Sequence, residues 1–320
     1  MAMQVESFIV GVDVAKAELV ISEQGQSRLI TLANERRAIR RYLKALAGPA
    51  WVAVEATNTY HLALVEEAYR LGHRVYVIDG YRLSRYREGV GGRAKTDTSD
   101  ARLLARYLQR EHDQLRPWSP PGKGYTRLRQ LLRRRARLVQ VKTTLSQSLK
   151  ELPELKSSAQ AVLRQLNRLD ALIQKRLRQA LTEHGWLADA RRCQAVEGIG
   201  EITAAALTMS YNRGAFVSAD AFIAFIGMDV RVRDSGRSKG KRKLTKQGDP
   251  ELRRLLYLAA MTASRSATWQ PVYQRYLARG MSPIQAFVAL GRKLARIAFS
   301  LMKYQTNYAP KLAHNACAET

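Results

Sequence analysis

The sequence predicts three regions: an α/β domain at the N terminus, a helical arm, and a mainly α-helical C-terminal domain. Short apolar runs alternate with helix-like stretches over the first hundred residues, which is the pattern of an α/β domain. Leucine then recurs every seventh residue from Leu131 to Leu152, which is typical of a long amphipathic helix. Near the C terminus, Asp249-Pro250 and Ser282-Pro283 each place a capping residue before a proline, the usual start of a helix.

Within the first 115 residues we predict five strands and three helices. The first strand is an apolar run that contains one acid, Asp13, and the fourth is an apolar run that ends on Glu55. Asn34 is expected to cap a helix that runs to Leu46. The expected strands cover residues 7–15, 18–22, 28–32, 51–56 and 73–79, and the expected helices cover 34–46, 61–71 and 101–108.

The net charge indicates a polyanionic partner. The chain has 320 residues, with 54 Lys and Arg against 27 Asp and Glu, which gives a formal net charge of +27. An excess of this size favours nucleic acid and argues against an enzyme of neutral substrates. A membrane surface would also attract it, but we find no apolar run of about 18 residues and no signal-peptide pattern, so we expect no membrane partner. The two cysteines, Cys193 and Cys317, are too few for a zinc site and are expected to be thiols in a reducing cytoplasm.

Four acids occupy positions where a carboxylate needs an explanation. Asp13 and Glu55 each lie in an apolar strand, and a buried strand tolerates one carboxylate only when it is paired or bound to a metal. Asp97 and Asp100 lie three residues apart at the start of a helix, where like charges repel. If the strands are neighbours and the helix packs over them, the four acids converge and can hold Mg²⁺, or Mn²⁺, against a phosphate. Alternatively, the aspartates of the helix are caps and the acids of the strands are strand ends facing water.

A proline-rich segment, residues 116–122, separates the N-terminal domain (1–115) from the helical arm (122–187). The leucines of the arm and a second amphipathic stretch after Pro153 predict a helical hairpin or coiled coil. Such a structure favours a contact in a homo-oligomer, a dimer or a tetramer, and an arm that packs within one chain is the alternative.

The first arm helix is also strongly basic. Seven basic residues and no acid lie between Arg127 and Lys142. Faces of this kind are often only solvated, but in a chain of this charge we expect contact with a phosphate backbone. The residues expected to make it are Arg127, Arg133, Arg134 and Arg137.

The C-terminal domain (190–310), which precedes a tail at 311–320, contains two further candidate contacts. Gly198-Ile199-Gly200 is a turn before a helix, and such a turn can offer backbone N–H groups to a phosphate. Residues 231–246 contain eight basic residues and one acid around Ser235-Gly236. Ser-Gly is common in turns, but a serine hydroxyl among cations is also suited to attack phosphorus. The expected nucleic-acid contacts of these segments, together with Lys95 before the acidic helix, are Gly198, Gly200, Arg231, Arg233, Arg237, Lys239, Lys241, Arg242 and Lys243.

Several short segments, taken together, match one known family. The chain resembles the DEDD transposases of the IS110 ("IS one-ten") insertion-sequence family, which are bridge-RNA-guided recombinases. The matching segments run along most of the chain: Gly11-Val12-Asp13-Val14-Ala15-Lys16, Val54-Glu55-Ala56-Thr57, Lys95-Thr96-Asp97-Thr98-Ser99-Asp100-Ala101, Gly198-Ile199-Gly200, Ser235-Gly236, and Lys246-Gln247-Gly248 before Leu252-Arg253.

This resemblance implies an N-terminal RuvC-like (RNase H-like) domain whose catalytic, metal-binding acids are Asp13, Glu55, Asp97 and Asp100. It further implies a C-terminal transposase domain in which Ser235 is the nucleophile and joins covalently to DNA. The resemblance also implies that the acids of one subunit work with the serine of another, and that a structured guide RNA pairs with donor and target DNA. We therefore expect a bacterial, cytoplasmic and nucleoid-associated protein.

Three functions remain open at the level of the sequence. The first is a Mg²⁺-dependent DNA transposase with Ser235 as nucleophile, the second a RuvC-like structure-selective nuclease in which activated water attacks, and the third a non-catalytic nucleic-acid-binding protein. Replacing Ser235 separates the first from the second, because only the first requires a covalent adduct. Replacing Asp13 separates both from the third, because only an enzyme needs that carboxylate for its metal.

Overall fold

A computed structural model of the chain divides after Pro120 into two compact units, here called the N-terminal and the C-terminal unit. Among the described residues, no helix is both long enough and apolar enough to cross a membrane. The structure describes residues 8–56, 59–91, 97–231, 234–235, 238–239 and 242–310, without the side chains of 97, 98, 234, 235, 238 and 239.

The N-terminal unit is built on a mixed five-stranded sheet in the order β3-β2-β1-β4-β5. The first three strands pair antiparallel, whereas β4 lies parallel to both β1 and β5. The central strands β1 and β4 are apolar along almost their whole length because helices cover both of their faces. The strands are β1 (Ile9–Val14), β2 (Glu18–Glu23), β3 (Leu29–Ala33), β4 (Trp51–Glu55) and β5 (Arg74–Ile78).

In the part of the N-terminal unit that the structure describes, four helices surround this sheet. Helices α1 (Arg36–Ala45) and α2 (Leu62–Arg70) pack on one face, where their apolar residues share a core with the valines of β1 and β4. Helix α4 (Asp97–Glu111) packs on the opposite face, where Leu104 and Leu108 share a second core with residues of β1, β4 and β5. Helix α3 (Gly80–Gly89) follows β5 and contacts α4.

The prediction that Asn34 caps the first helix is wrong. Helix α1 begins two residues later, after Glu35, and has no side-chain cap. The Asn34 amide instead donates hydrogen bonds to the carbonyl oxygens of Ala15 (2.8 Å) and Tyr60 (3.2 Å). These contacts join distant parts of the unit, and the sequence around position 34 carries no sign of them.

The C-terminal unit begins with a helical hairpin formed by α5 (Lys123–Ser148) and α6 (Lys156–Glu183). Arg135 of α5 pairs with Asp170 of α6 at 3.0 Å, and the base of the hairpin joins the core of the following helices. The hairpin accounts for the amphipathic pattern of the arm. A coiled coil between two copies stays a prediction.

Among the described residues, six further helices belong to the C-terminal unit. Helix α8 is buried along most of its length, and α10 and α12 pack against each other. Both predicted helix starts are confirmed: the Asp249 side chain accepts from the Glu251 N–H, and Ser282 forms a reciprocal capping box with Gln285. The six are α7 (Leu187–Gln194), α8 (Glu201–Tyr211), α9 (Ala219–Phe225), α10 (Pro250–Ala263), α11 (Gln270–Ala278) and α12 (Pro283–Tyr304).

Candidate active site and nucleic-acid interface

Asp13 and Glu55 lie side by side on neighbouring strands. Strands β1 and β4 are paired in parallel with Val12 opposite Val54, so the next residue of each strand is one of the two acids. Because side chains alternate along a strand, both acids share the face that carries Ile9 and is covered by α4. Both residues are half-buried.

Helix α4 approaches β1 closely on this face. A Cβ atom on Gly11 would lie 2.1 Å from the carbonyl oxygen of Ala101 and 2.5 Å from the nitrogen of Ala105, so the contact requires glycine. His112, which follows the last residue of α4, packs on Trp51 with ring centroids 5.0 Å apart, and Trp51 is opposite Ile9 at the start of β1. The strand and the helix therefore run in opposite directions.

This arrangement brings Asp13 towards the first turn of α4. Two residues of strand span about 6.6 Å, which equals about four residues of helix. Because Gly11 lies against Ala101 and Ala105, Asp13 lies beside the turn that begins at Asp97 and includes Asp100. The side chain of Asp97 itself is outside the described part of the structure.

The carboxylate of Asp100 is buried and paired. The Arg87 guanidinium donates to Asp100 Oδ1 at 2.7 Å, and the Ser99 hydroxyl donates to the same oxygen at 3.3 Å. Only 4% of the Asp100 side chain and 15% of the Arg87 side chain are exposed. Sequence reasoning did not identify Arg87, because an arginine ten residues before the acidic motif carries no local signal.

The four acids suit Mg²⁺ in their donor chemistry. Carboxylate oxygens are the donors that Mg²⁺ prefers, and the two strand acids lie on the face over which α4 carries the other two. Among the side chains that the structure describes, no three His, Cys, Asp or Glu residues lie close enough together to hold a metal ion. Metal binding by the four acids therefore stays a prediction.

Ser235 lies on a narrow β-ribbon. Strands β6 (Val230–Arg231) and β9 (Lys243–Leu244) pair antiparallel at its base, and β7 (Asp234–Ser235) pairs with β8 (Ser238–Lys239) farther out. Ser235 is opposite Ser238, and Asp234 is opposite Lys239.

The basic residues of the ribbon are described only in part. Arg242 and Lys243 are exposed and Arg231 is half-buried, whereas only the backbone of Lys239 is described. Four other residues that were predicted to contact nucleic acid lie outside the described residues: Lys95 before α4, and Arg233, Arg237 and Lys241.

A side-chain hydrogen bond and a close backbone contact stabilise the base of the ribbon. The Asp229 carboxylate accepts from the Thr245 hydroxyl. A Cβ atom on Gly248 would lie 2.4 Å from the backbone of Ile226, so glycine is required there. The Arg253 guanidinium donates to the Gly248 carbonyl at 2.8 Å, and its burial lowers the pKa of Arg253. Gly248 and Arg253, which belong to segments that support the family resemblance, therefore make close contacts near the base of the ribbon.

The predicted glycine turn is packed against α10. Gly198 has a φ of +89°, and a Cβ atom there would lie 2.3 Å from the Ala259 carbonyl oxygen. Gly200 is exposed and precedes α8, whose first residue, Glu201, pairs with Arg178 at 2.9 Å. Packing explains Gly198, and phosphate contact by this turn stays a prediction.

Glu197, which precedes Gly198, joins this turn to three residues that are distant in the sequence. Its carboxylate accepts hydrogen bonds from the Thr268 hydroxyl (2.7 Å), the Trp269 indole N–H (3.1 Å) and the Tyr308 hydroxyl (2.8 Å). Burial raises the pKa of Glu197, but these hydrogen bonds outweigh it, so the pKa lies below its ordinary value. The carboxylate is therefore charged at neutral pH.

The basic residues of α5 fall into two groups. Arg127, Arg133, Arg134 and Arg137 are all exposed, so phosphate can reach them. Arg135, by contrast, is engaged by the carboxylate of Asp170. Contact of the exposed four with nucleic acid stays a prediction.

Cys193 is a structural residue. It is fully buried between α7 and its neighbours, and burial raises the pKa of its thiol to about 12. The thiol is therefore protonated and unreactive at neutral pH. Cys317 is outside the described residues.

Comparison with known proteins finds similar sequences in several bacteria. A "Pilin gene-inverting protein" of Moraxella bovis is 28% identical over 269 residues, which cover 78% of this chain and 79% of the relative. The protein of the same name from Moraxella lacunata is 28% identical over 261 residues, with the same coverage. A "Probable family 20 transposase" of Pseudomonas aeruginosa is 33% identical over 171 residues, 50% of this chain and 46% of the relative.

Two family descriptions match separate parts of the chain. The DEDD transposase description of the IS110 group matches residues 10–155, which include the four acids. The description "Transposase IS116/IS110/IS902 family" matches residues 190–277, which include the glycine turn and the ribbon with Ser235. The two matches describe the same transposases and together cover most of the chain. The protein therefore belongs to the IS110/IS116/IS902 family of transposases.

Proposed function

We propose that this transposase moves its own element by a Mg²⁺-dependent strand exchange, with Asp13, Glu55, Asp97 and Asp100 as metal ligands and Ser235 as nucleophile. Mn²⁺ is expected to substitute for Mg²⁺. The observation that carries the proposal is the placement of Asp13 and Glu55 on one face of adjacent strands, the face that α4 covers. The family supports it, because transposases cut and rejoin DNA.

In the proposed chemistry, a divalent metal held by the carboxylates would offset the charge of the scissile phosphate. The Ser235 oxygen bonds to phosphorus while the bond from phosphorus to one deoxyribose oxygen breaks. The serine hydroxyl loses its proton and the departing oxygen gains one, so the cut strand end is a hydroxyl. Rejoining reverses these steps with a different strand. The positive charges of the exposed Arg242 and Lys243 stabilise the negative charge of the phosphate during the exchange.

The partners we propose are double-stranded donor and target DNA and a structured guide RNA. The charge of +27 and the four exposed arginines of α5 support binding to nucleic acid. The role of RNA rests on the family resemblance. Its test is whether one discrete RNA, transcribed beside the gene, co-purifies with the chain; a mixture of cellular RNA would contradict the guide. We expect the protein to act at the bacterial nucleoid.

We also propose a homo-oligomer in which the acids of one subunit work with Ser235 of another. Support comes from apolar residues of the hairpin that are exposed in the single chain. Leu155, Val162 and Leu169 recur every seven residues and are 42%, 49% and 46% exposed. A stripe of this period is suited to pack against a second helix.

The test of the catalytic proposal uses end-labelled DNA carrying the junctions of the element, incubated with purified protein, its RNA and Mg²⁺. Wild type is expected to yield strand exchange and a protein–DNA adduct that survives denaturation. Asp13→Asn is expected to abolish both, whereas Asp113→Asn, which changes an acid with an 89% exposed side chain, leaves both intact. Full activity of Asp13→Asn would refute the acidic site.

Ser235 is tested in the same assay. Ser235→Ala is expected to lose the adduct and strand exchange, whereas Ser238→Ala, its partner across the ribbon, retains them. Cleavage that persists in Ser235→Ala without an adduct would contradict the serine mechanism. That result would favour the nuclease in which activated water attacks.

A further inference from the structure

One short helix, α3, contacts two of the four acids. Its first residue, Gly80, lies against the carboxylate of Glu55, and its eighth residue, Arg87, pairs with Asp100. The helix is anchored at both ends. The Asp79 side chain accepts from two backbone N–H groups of its first turn, and Tyr86 packs edge-to-face on Tyr107 of α4 with ring centroids 4.9 Å apart.

The contact at Gly80 leaves no room for a side chain. A Cβ atom there would lie 2.3 Å from Glu55 Oε1. The blocking atom is the end of a flexible side chain rather than backbone, so an added methyl group displaces the carboxylate and leaves the fold in place. Alanine also favours a helix over glycine. The effect on the position of Glu55 is therefore separable from any effect on stability.

The contact at Arg87 fixes the orientation of the other acid. Within the described part of the chain, both hydrogen bonds to the Asp100 carboxylate end on Oδ1, from Arg87 and from Ser99. A carboxylate held through one oxygen presents the other in a fixed direction. In known metal sites, hydrogen bonds from residues that do not touch the ion orient its ligands in this way. Removing such a residue commonly weakens metal affinity by about 10- to 100-fold. Arg87 also balances a charge that is buried.

We propose that α3 is the positioning element of the acidic site, with Gly80 and Arg87 setting the carboxylates of Glu55 and Asp100 for the divalent ion. This inference rests on the proposed function, because it assumes that these acids bind metal. Neither residue contacts the ion itself. Both act through the ligand that they touch.

The test measures Mn²⁺ affinity by electron paramagnetic resonance and Tm by differential scanning calorimetry, both on the full chain. Gly80→Ala is expected to weaken Mn²⁺ binding by about tenfold or more while its Tm stays at or above that of wild type. Gly89→Ala is the matched control on the same helix, since a Cβ atom there meets nothing within 4 Å, and it is expected to bind as wild type does.

Arg87 is tested in parallel. Arg87→Gln is expected to weaken Mn²⁺ binding by about 10- to 100-fold. Arg85→Gln is the control, because this neighbour is half exposed and pairs with Glu88 on the surface. If Arg87→Gln does not fold, Arg87→Lys replaces it, because a lysine keeps the charge but not the planar fork and is expected to bind Mn²⁺ more weakly than wild type.

Asp13→Asn separates the two levels of the argument. If wild type binds no Mn²⁺, or if Asp13→Asn binds it as tightly as wild type, the proposed metal site fails and the role of α3 fails with it. If Asp13→Asn removes a bound ion but Gly80→Ala and the Arg87 variant bind as tightly as their controls, the acidic site stands and the inference about α3 is overturned. Tighter binding in the Arg87 variant would also overturn it, because Arg87 would then compete with the metal.

Discussion

The contact between α4 and the sheet makes a prediction whose size can be derived from the structure. In Gly11→Ala the new methyl carbon would lie 2.1 Å from the Ala101 carbonyl oxygen, about 1.3 Å short of an ordinary contact of 3.4 Å. Both nearest atoms belong to the backbone of α4, so no side-chain rotation relieves the overlap. The helix as a whole must move away from β1.

We expect this movement to cost about 3 kcal/mol, near the upper end of the range for added volume in a packed core. For a unit of this size that corresponds to a fall in Tm of about 10 °C. The assay is thermal unfolding followed by circular dichroism, with urea unfolding as a second measure of the free energy of unfolding. Gly48→Ala is the control, because a Cβ atom at Gly48 meets nothing within 4 Å.

The same variant tests the link between packing and the site. Asp97 and Asp100 lie on the helix that must move, so Gly11→Ala is expected to weaken Mn²⁺ binding as well as stability. If Gly11→Ala unfolds at the same temperature as Gly48→Ala, α4 does not lie as close to β1 as described. The argument that brings Asp13 to the first turn of α4 would then be refuted.

Three further predictions concern other parts of the chain. Burial lowers the pKa of His73, whose Nδ1 accepts from the Ala50 N–H, so the unfolded chain binds the proton more readily. The free energy of unfolding, measured with urea, should therefore fall as pH drops below about 6.5. This dependence on pH should be weaker in His73→Gln, and an equal dependence in both proteins would contradict the prediction. Glu197→Gln loses acceptor capacity for three donors, and calorimetry should show a loss of about 2 kcal/mol; an unchanged Tm would deny the role of the carboxylate. Leu169→Asp should lower the oligomer size in light scattering, because the residue is 46% exposed in the single chain and a charge there opposes packing against a second apolar helix; an unchanged mass would exclude this face as the subunit contact.

Much of the N-terminal unit was predictable because its sheet is buried on both faces. A strand of this kind has a continuous apolar sequence, and β1 and β4 lie within the runs predicted from residues 7–15 and 51–56. The alternation of side chains along these strands also explains why an acid two residues after Gly11 shares its face. The starts of α10 and α12 were predictable because Asp-Pro and Ser-Pro are local signals.

The parts that the sequence did not predict depend on contacts between distant residues. Gly80 is glycine because Glu55 lies against it, and Arg87 is largely shielded from water because it pairs with Asp100. Neither contact leaves a pattern in the neighbouring residues. The short helices α7, α9 and α11 were not predicted for a similar reason, since each is too short for a clear period and is defined by packing. Asn34 shows the converse, because a sequence typical of a cap forms tertiary hydrogen bonds instead.

The central claim is that the acids of the N-terminal unit share a divalent ion. The most direct measurement is anomalous diffraction at the manganese edge from crystals of the full chain grown with Mn²⁺. We predict a peak within about 2.5 Å of carboxylate oxygens from both Asp13 and Glu55, and its loss in Asp13→Asn. A map in which these two carboxylates are ordered and no peak lies between them, at Mn²⁺ concentrations that support strand exchange, would contradict the account.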